Sequence, residues 1–184
     1  MAVRKILTIP DNRLYKISVE VTEFDKKLRD QVRDMFDSMR SASGVGLAGV
    51  QIGILKRIMV IDLEEAGFIK GVFINPVIEE KSEETQEGEE GCLSVPGITA
   101  PLLRPKWIKL SYQNLAGKRG TIEAEMLFAR AVLHEMDHMD GKVFIDLLEP
   151  DIKKSLKNDI ELVKKGKLPS SYNEPEYRKD KVNV

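Results

Sequence analysis

The chain has 184 residues, 42% of them hydrophobic and 32% charged, and its 29 basic and 30 acidic side chains leave a formal net charge of -1. This length suits a single domain with a full core, and the near-neutral charge argues against sequence-specific nucleic-acid binding by the whole domain. No segment reaches the ~20 apolar residues of a membrane span or resembles a signal peptide, and one cysteine cannot form an internal disulfide. We therefore expect a cytoplasmic protein that makes no membrane contact.

The chain up to residue 125 predicts one helix and a series of strands. Apolar side chains at spacings of three and four predict an amphipathic helix over residues 24–42 that ends near Gly44. Four segments that are rich in β-branched residues or alternate apolar with polar side chains are predicted strands: 57–63, 72–78, 107–112 and 121–125. The last two predict a β-meander. Pro76 indicates an edge position or an end of pairing in its strand. We expect the acidic stretch 79–90 to be a solvated hairpin or loop.

The C-terminal part of the chain predicts two helices. The first covers about residues 123–140. One stripe of this helix is expected to enter the core, and it consists of Leu127, Ala131, His134 and His138. Pro150 in the first turn and Gly166 as the terminator bound the second helix. Residues 167–184 are polar, so we expect a single domain over residues 1–166 followed by a mobile tail.

The strongest functional signal is an HExxH motif that runs from His134 to His138. On a helix the two histidines project from one face, so their imidazoles can bind one metal ion while Glu135 lies beside them as a base. Cys92 could complete a site of two imidazoles and one thiolate whose fourth position stays open for water, which is typical of a catalytic metal. Both histidines of the chain lie in this motif, which favours a metallohydrolase.

Each pattern also has an ordinary explanation. HExxH occurs in helices that bind nothing, and a lone cysteine is most often a small buried hydrophobe. The glycine-rich run 44–51 lacks the Walker lysine and the GxGxxG spacing, and as a bare pattern it is more typical of a tight turn. The residues alone therefore leave the site open.

Three segments together resemble the signature motifs of the peptide deformylase family, in the same order and at comparable spacing. They are Gly44-Val-Gly-Leu-Ala-Gly-Val-Gln51, Glu90-Gly-Cys-Leu-Ser94 and His134-Glu-Met-Asp-His138. The resemblance covers about residues 3–165. It implies a metal-dependent hydrolase that removes the N-formyl group from the N-terminal methionine of newly synthesised proteins and releases formate. With the predicted elements, we expect an α+β fold of mostly antiparallel sheets around a central HExxH helix, with an N-terminal and a C-terminal helix.

The resemblance also implies the roles of the site residues. Cys92, His134 and His138 would bind one divalent metal, usually ferrous iron, which nickel, cobalt or zinc can replace. Glu135 would take a proton from the attacking water and pass it to the leaving amine. The charge that develops on the formyl oxygen would be stabilised by two donors, the side-chain amide of Gln51 and the backbone N–H of Leu93.

Substrate-binding residues follow from the same resemblance. The N-formyl-methionyl nascent polypeptide would lie extended beside the glycine-rich motif, so Val45, Gly46 and Gly91 are the backbone candidates. Its methionine side chain would enter an apolar pocket that includes Leu127 and Ala131 as well as Val45 and His134. The chain departs from the family pattern in three places: Gly49-Val50 replaces Ala-Ala or Ala-Pro, Thr99 stands in place of a peptide-holding arginine, and Leu133 stands in place of glutamine.

Three other functions compete with this interpretation. A general HExxH protease would need a further ligand, for which Glu149 or Glu161 are candidates outside any motif. A hydrolase with Cys92 as nucleophile would need no metal. A non-catalytic zinc module would need a fourth protein ligand.

The last predicted helix carries a group of lysines that a solvated face explains: Lys153, Lys154, Lys157, Lys164 and Lys165. The family resemblance also allows a ribosome contact through this C-terminal helix, because the C-terminal helices of some members dock there.

Overall fold

The computed structural model describes residues 2–169 of the chain. Its helices are α1 (Lys26–Ser41), α2 (Met126–Met139), α3 (Pro150–Ser155) and α4 (Lys157–Lys164). Its strands are β1 (Gly46–Ala48), β2 (Ile58–Asp62), β3 (Lys70–Lys81), β4 (Thr85–Cys92), β5 (Val95–Pro105), β6 (Trp107–Gln113) and β7 (Arg119–Glu125). The architecture is α+β with antiparallel sheets, as predicted.

The predicted N-terminal helix is confirmed as α1. Asp25 caps it, because its side chain accepts a hydrogen bond of 2.9 Å from the backbone N–H of Leu28. The buried face of the helix includes Val32 and Met35, which share one core cluster with Ile58 and other residues of the sheet. The spacing of three and four therefore reports a real apolar face.

A five-stranded antiparallel sheet in the order β1-β2-β3-β6-β7 forms the centre of the described part of the chain. The predicted strands 57–63 and 72–78 are β2 and the middle of β3, and the predicted meander is the hairpin of β6 and β7. Because side chains alternate along β2, Val60 faces the cluster under α1, whereas Met59 and Ile61 face the cluster under α2. This central strand is therefore buried on both faces.

The edge position that Pro76 suggested is wrong, because β3 lies in the middle of the sheet. The alternative, an end of pairing, holds: β2 pairs with β3 no further than Ile74, and the register to β6 shifts between Ile74 and Val77. Asn75 adopts a positive φ of 49° there, and its side-chain amide donates to Val21 and Gln113. A proline is tolerated at such a bulge because no ladder N–H is needed.

Most of the acidic stretch 79–90 lies in strands, and only residues 82–84 form a connection between them. Its first residues complete β3, and its last residues lie in β4, which pairs with the unpredicted strand β5 in a separate two-stranded sheet. Glu87 and Glu89 face solvent as expected, but Glu90 is buried. The prediction of a solvated segment is therefore wrong at Glu90, where arginine partners replace water.

The HExxH helix α2 packs against the five-stranded sheet through Ala129 and Val132, which share a core cluster with Phe73. It begins at Met126 rather than 123, because the preceding residues are held in β7 by pairing with β6. The predicted core stripe is also wrong at Leu127, which is 43% exposed.

The predicted last helix is present as two short helices, α3 and α4, divided at Leu156. Ile160 and Val163 of α4 are buried in a core cluster shared with β5. Of the predicted tail, residues 170–184 lie outside the described residues, so the domain boundary stays a prediction. Within the described range, no helix combines the length and apolar character of a membrane span.

Candidate metal centre

Two elements bring the three predicted ligands together. Cys92 ends β4, while His134 and His138 lie one turn apart on α2, and their ligand atoms all lie within 4.8 Å of one another. The Sγ of Cys92 is 3.1 Å from Nε2 of His138, which is only 1% exposed. One thiolate and two imidazoles that converge in this way fit a single divalent metal with an open fourth position.

The electrostatics of the cluster favour the thiolate form of Cys92 and a protonated form of His134. Burial raises the pKa of the Cys92 thiol, but His138 and His134 outweigh it, and the net pKa lies well below the ordinary value. Burial lowers the pKa of His134, but Cys92 and Glu90 outweigh it, and the net pKa lies well above the ordinary value. The thiolate is the form of cysteine that binds metals, and a bound cation would take the place of the proton that His134 otherwise holds beside it.

A buried carboxylate orients the first histidine. Oε2 of Glu90 lies 2.9 Å from Nδ1 of His134, which leaves the other ring nitrogen for the ligand cluster. Arg104 forms two bonds to Glu90, of 2.8 and 2.9 Å, and Arg130 adds a third of 2.8 Å. Burial raises the pKa of Glu90, but Arg104 and His134 outweigh it and hold the pKa at about 2. Glu90 is therefore an ionised hydrogen-bond acceptor.

The sequence motifs predict no role for Glu90, Arg104 or Arg130. Two signals were available: Glu90 lies two residues before Cys92 on one face of a strand, and Arg130 lies four residues before His134 on one face of a helix. Arg104 had no local signal, because it reaches Glu90 only through the pairing of β4 with β5.

The predicted base Glu135 is buried beside the ligands. Burial raises its pKa to about 7, although His134 and His138 pull the pKa down. Its Oε2 is buried and has no hydrogen-bond partner among the described residues. Gly46 makes room for this carboxylate, since a Cβ there would lie 2.5 Å from Glu135 Oε1.

Gln51 is 1% exposed and is held at both ends of its amide. Its Oε1 accepts a 2.8 Å bond from the backbone N–H of Ala48, and its Nε2 donates to Ser94 Oγ at 3.2 Å and faces Cys92 Sγ at 3.7 Å. The family departure at Gly49 has a local cause, because a Cβ there would lie 2.7 Å from the carbonyl oxygen of Ile54. The glycine thus permits the turn that points Gln51 at the centre.

A cavity of about 680 Å³ opens onto the cluster. The structure brings ten of the predicted site residues to its wall: Val45, Gly46, Gln51, Gly91, Cys92, Leu93, Leu127, Ala131, His134 and Glu135. His138, the remaining ligand, is buried and is not part of this lining. Thr99 and Arg130 also line the cavity. A converging ligand set, a carboxylate and a cavity in contact are what the site of a mononuclear metallohydrolase requires.

Comparisons with known proteins agree with that class. The profile of the family described as polypeptide deformylase matches residues 3–154. The peptide deformylase of Saccharophagus degradans is 42% identical over 161 residues, which cover 88% of this chain and 94% of that one. The peptide deformylase of Clostridium botulinum is 45% identical over 146 residues, which cover 79% and 97%.

Solved structures give the same result for the fold. A peptide deformylase from Legionella pneumophila superposes with a TM-score of 0.82 at 40% identity, covering 89% of this chain and 96% of that one. A peptide deformylase from Ehrlichia chaffeensis in complex with actinonin gives 0.82 at 39% identity, covering 90% and 98%. The chain belongs to the polypeptide deformylase family. It is a hydrolase that removes the N-formyl group from the N-terminal methionine of newly synthesised proteins and releases formate.

Proposed function

We propose that deformylation takes place at the Cys92, His134 and His138 centre and that ferrous iron is its native metal, with nickel, cobalt or zinc as substitutes. One observation carries the location: three ligand atoms from two elements lie within 4.8 Å of one another at the wall of the cavity. Thiolate and imidazole ligands suit these metals. When bound, the metal makes hydroxide available near neutral pH and polarises the formyl oxygen.

Glu135 is the proton carrier of this proposal. It takes the proton of the attacking water and returns it to the amine that leaves. Its position supports the role, since the carboxylate lines the cavity next to both histidines and its buried Oε2 has no partner among the described residues. A base must lie within hydrogen-bond reach of the proton that it moves, and the place of Glu135 beside His134 at the cavity wall supports that reach.

Gln51 and Leu93 are the proposed donors to the formyl oxygen as it gains negative charge. The amide of Gln51 is fixed at its oxygen by Ala48, so its Nε2 is aimed at the cluster without reorganisation. Leu93 follows the ligand Cys92 directly and lines the same cavity. Preorganised donors of this kind typically contribute about 10²–10³ in rate each.

The substrate peptide is proposed to extend along β1 with its backbone beside Val45, Gly46 and Gly91. The support is topological: β1 is an outer strand of the described five-stranded sheet, and an edge strand can pair with an added extended peptide. The methionine side chain then enters the apolar part of the cavity near Val45, Leu127, Ala131 and His134.

The cytoplasm, where formylated chains are made, is the proposed location of the reaction. A ribosome contact through the C-terminal helices is a further proposal, which rests on the lysines of α3 and α4. Two of them already pair with acidic neighbours, Lys153 with Asp146 at 3.4 Å and Lys164 with Glu161 at 2.8 Å. Lys154, Lys157 and Lys165 are therefore the residues to replace in a ribosome-binding assay.

The deciding experiment is a deformylation assay under anaerobic conditions. Protein loaded with ferrous iron or nickel is incubated with an N-formyl-methionyl peptide and, as the matched control, its N-acetyl counterpart. We expect formate from the formyl peptide alone and loss of turnover with a chelator. Full turnover after chelation would instead favour Cys92 as a nucleophile, and cleavage inside the peptide would favour a protease.

A further inference from the structure

Arg130 is a buried arginine, 7% exposed, that the proposed reaction does not use. It lies on α2 one turn before His134 and reaches across to the hairpin of β4 and β5. Its Nη1 donates to Glu90 Oε1 at 2.8 Å and to the carbonyl oxygen of Leu102 at 2.9 Å. Further bonds run to the carbonyl oxygens of Gly88 at 3.2 Å and Gln86 at 2.9 Å.

These bonds join the two elements that carry the ligands. Cys92 belongs to the two-stranded sheet of β4 and β5, whereas His134 and His138 belong to α2, which packs on the other sheet. The distance from the Cys92 thiolate to the two imidazoles therefore depends on how the β4–β5 hairpin packs against α2. The guanidinium of Arg130 donates to backbone carbonyl oxygens on both strands of the hairpin. It therefore fixes the position of the hairpin on the helix at a point close to the ligand cluster.

Arg130 also differs from the other arginine on Glu90. Arg104 divides its charge between Glu90 and Asp137, to which its Nη1 donates at 2.6 Å. Among the described residues, Glu90 is the only carboxylate with which Arg130 forms an ion pair. Its bond to Oε1 leaves Oε2 turned toward Nδ1 of His134. The guanidinium thus orients the carboxylate that orients the ligand.

We propose that Arg130 is a positioning residue of the metal centre: it seats the β4–β5 hairpin on α2 and orients Glu90 toward His134, and so raises the affinity for the metal. Although Arg130 lines the cavity, four bonds direct its guanidinium to protein acceptors. Its role is therefore separate from substrate binding. The inference rests on the metal centre of the proposed function.

Gly88 provides an independent way to move this guanidinium. A Cβ at residue 88 would lie 2.9 Å from Nη2 of Arg130 and 3.0 Å from its Cζ. The substitution Gly88→Ala should therefore displace the guanidinium of Arg130, while it changes no charged residue and no predicted metal ligand. Gly120→Ala is the matched control, since it also adds a methyl to a strand glycine, there 3.2 Å from the Tyr112 side chain and outside the cavity lining.

The test measures metal affinity directly, by competition between a chelator and the full-length protein for Co²⁺ under anaerobic conditions. Thiolate-to-cobalt absorption reports whether Cys92 is bound. Loss of an outer partner of a metal ligand typically costs about 10–100-fold in affinity. We expect Arg130→Met to lose Co²⁺ affinity at the upper end of that range. Arg130→Lys and Gly88→Ala should each lose about tenfold, and Gly120→Ala should keep the wild-type affinity.

A double substitution shows whether Gly88 acts through Arg130. If it does, adding Gly88→Ala to Arg130→Met weakens Co²⁺ binding no further, because the displaced group is already absent. Independent losses that multiply would overturn the proposal. Thermal unfolding of the metal-free variants distinguishes a positioning role from a merely structural one. A merely structural role would lower the stability of the variants and leave their Co²⁺ affinity and absorption unchanged.

Wild-type affinity in folded Arg130→Met also overturns the inference. If that variant does not fold, Arg130→Lys and Gly88→Ala decide, and wild-type affinity in both has the same consequence. Failure of the wild-type protein to bind Co²⁺ through Cys92 would overturn the proposed metal centre itself, and this inference with it. The two failures are therefore distinguishable.

Discussion

Glu135 lies so close to Gly46 that a single added carbon would collide with it: a Cβ at residue 46 would be 2.5 Å from Glu135 Oε1. The carboxylate of the HExxH helix therefore lies directly against the edge strand β1, along which the substrate is proposed to extend. The absence of a side chain at residue 46 makes room for the Glu135 carboxylate and, in the proposed substrate position, for the approach of the peptide backbone.

We expect Gly46→Ala to lower kcat by about 10²-fold, because a displacement of a catalytic group by about 1 Å can cost that much. The metal content should stay at the wild-type level, since Glu135 is not one of the predicted ligands. Kinetics with the formyl peptide and metal analysis of the same preparation test this. Gly120→Ala, a strand glycine away from the cavity, is the control. Undiminished kcat in Gly46→Ala would contradict the close packing of Glu135.

Glu135→Gln should retain the metal and lose nearly all turnover. The amide has almost the same shape as the carboxylate but cannot carry the proton, and general acid–base catalysis typically contributes about 10²–10⁴-fold. Formate release and metal content are measured together. A variant that keeps wild-type turnover would remove Glu135 from the mechanism.

Cys92→Ala should lose the metal as well as the activity, because only two of the three ligand atoms within 4.8 Å would remain. Metal analysis after dialysis against a chelator measures the loss, with Glu135→Gln as the control that keeps all three ligands. Metal retained at wild-type affinity in Cys92→Ala would show that the ligand assignment is wrong.

Gln51→Met tests the proposed oxyanion donor with little change in side-chain volume. We expect kcat to fall by about 10²–10³-fold with metal content unchanged, since the donor acts on charge that develops during the reaction. The buried Ala48 N–H also loses its acceptor, so thermal unfolding is measured in parallel. A fall in stability without a fall in kcat would assign Gln51 a structural role alone.

Thr99→Arg should improve substrate binding. Thr99 is exposed, pairs with Gly91 across β4 and β5, and lines the cavity. The family resemblance implies a peptide-holding arginine at this position. One added hydrogen bond of about 1 kcal/mol lowers KM about fivefold, and kcat stays constant because the bond exists equally in the ground and transition states. Thr99→Lys is the control, because lysine adds the same charge without the paired N–H donors of a guanidinium. An unchanged KM in Thr99→Arg would place the peptide elsewhere.

The sequence alone predicted the fold class, the helix α1 and most of the central strands, and it supplied the candidate metal ligands and cavity residues. These features follow from short-range patterns: the spacing of apolar residues, the four-residue spacing of two histidines, and three motifs in a fixed order. The three predicted ligand atoms converge, and ten of the predicted site residues line one cavity.

Only the tertiary structure decided what surrounds the ligands. In the sequence, Glu90 is one of several acidic residues in a stretch that is predicted to be solvated. In the structure, the pairing of β4 with β5 brings Arg104 to Glu90, and the packing of this hairpin on α2 brings Arg130 to it. The exposure of Leu127 and the central place of the strand with Pro76 likewise depend on neighbours distant in sequence. Local patterns report the faces of an element, but burial and ion pairing depend on which other elements cover those faces.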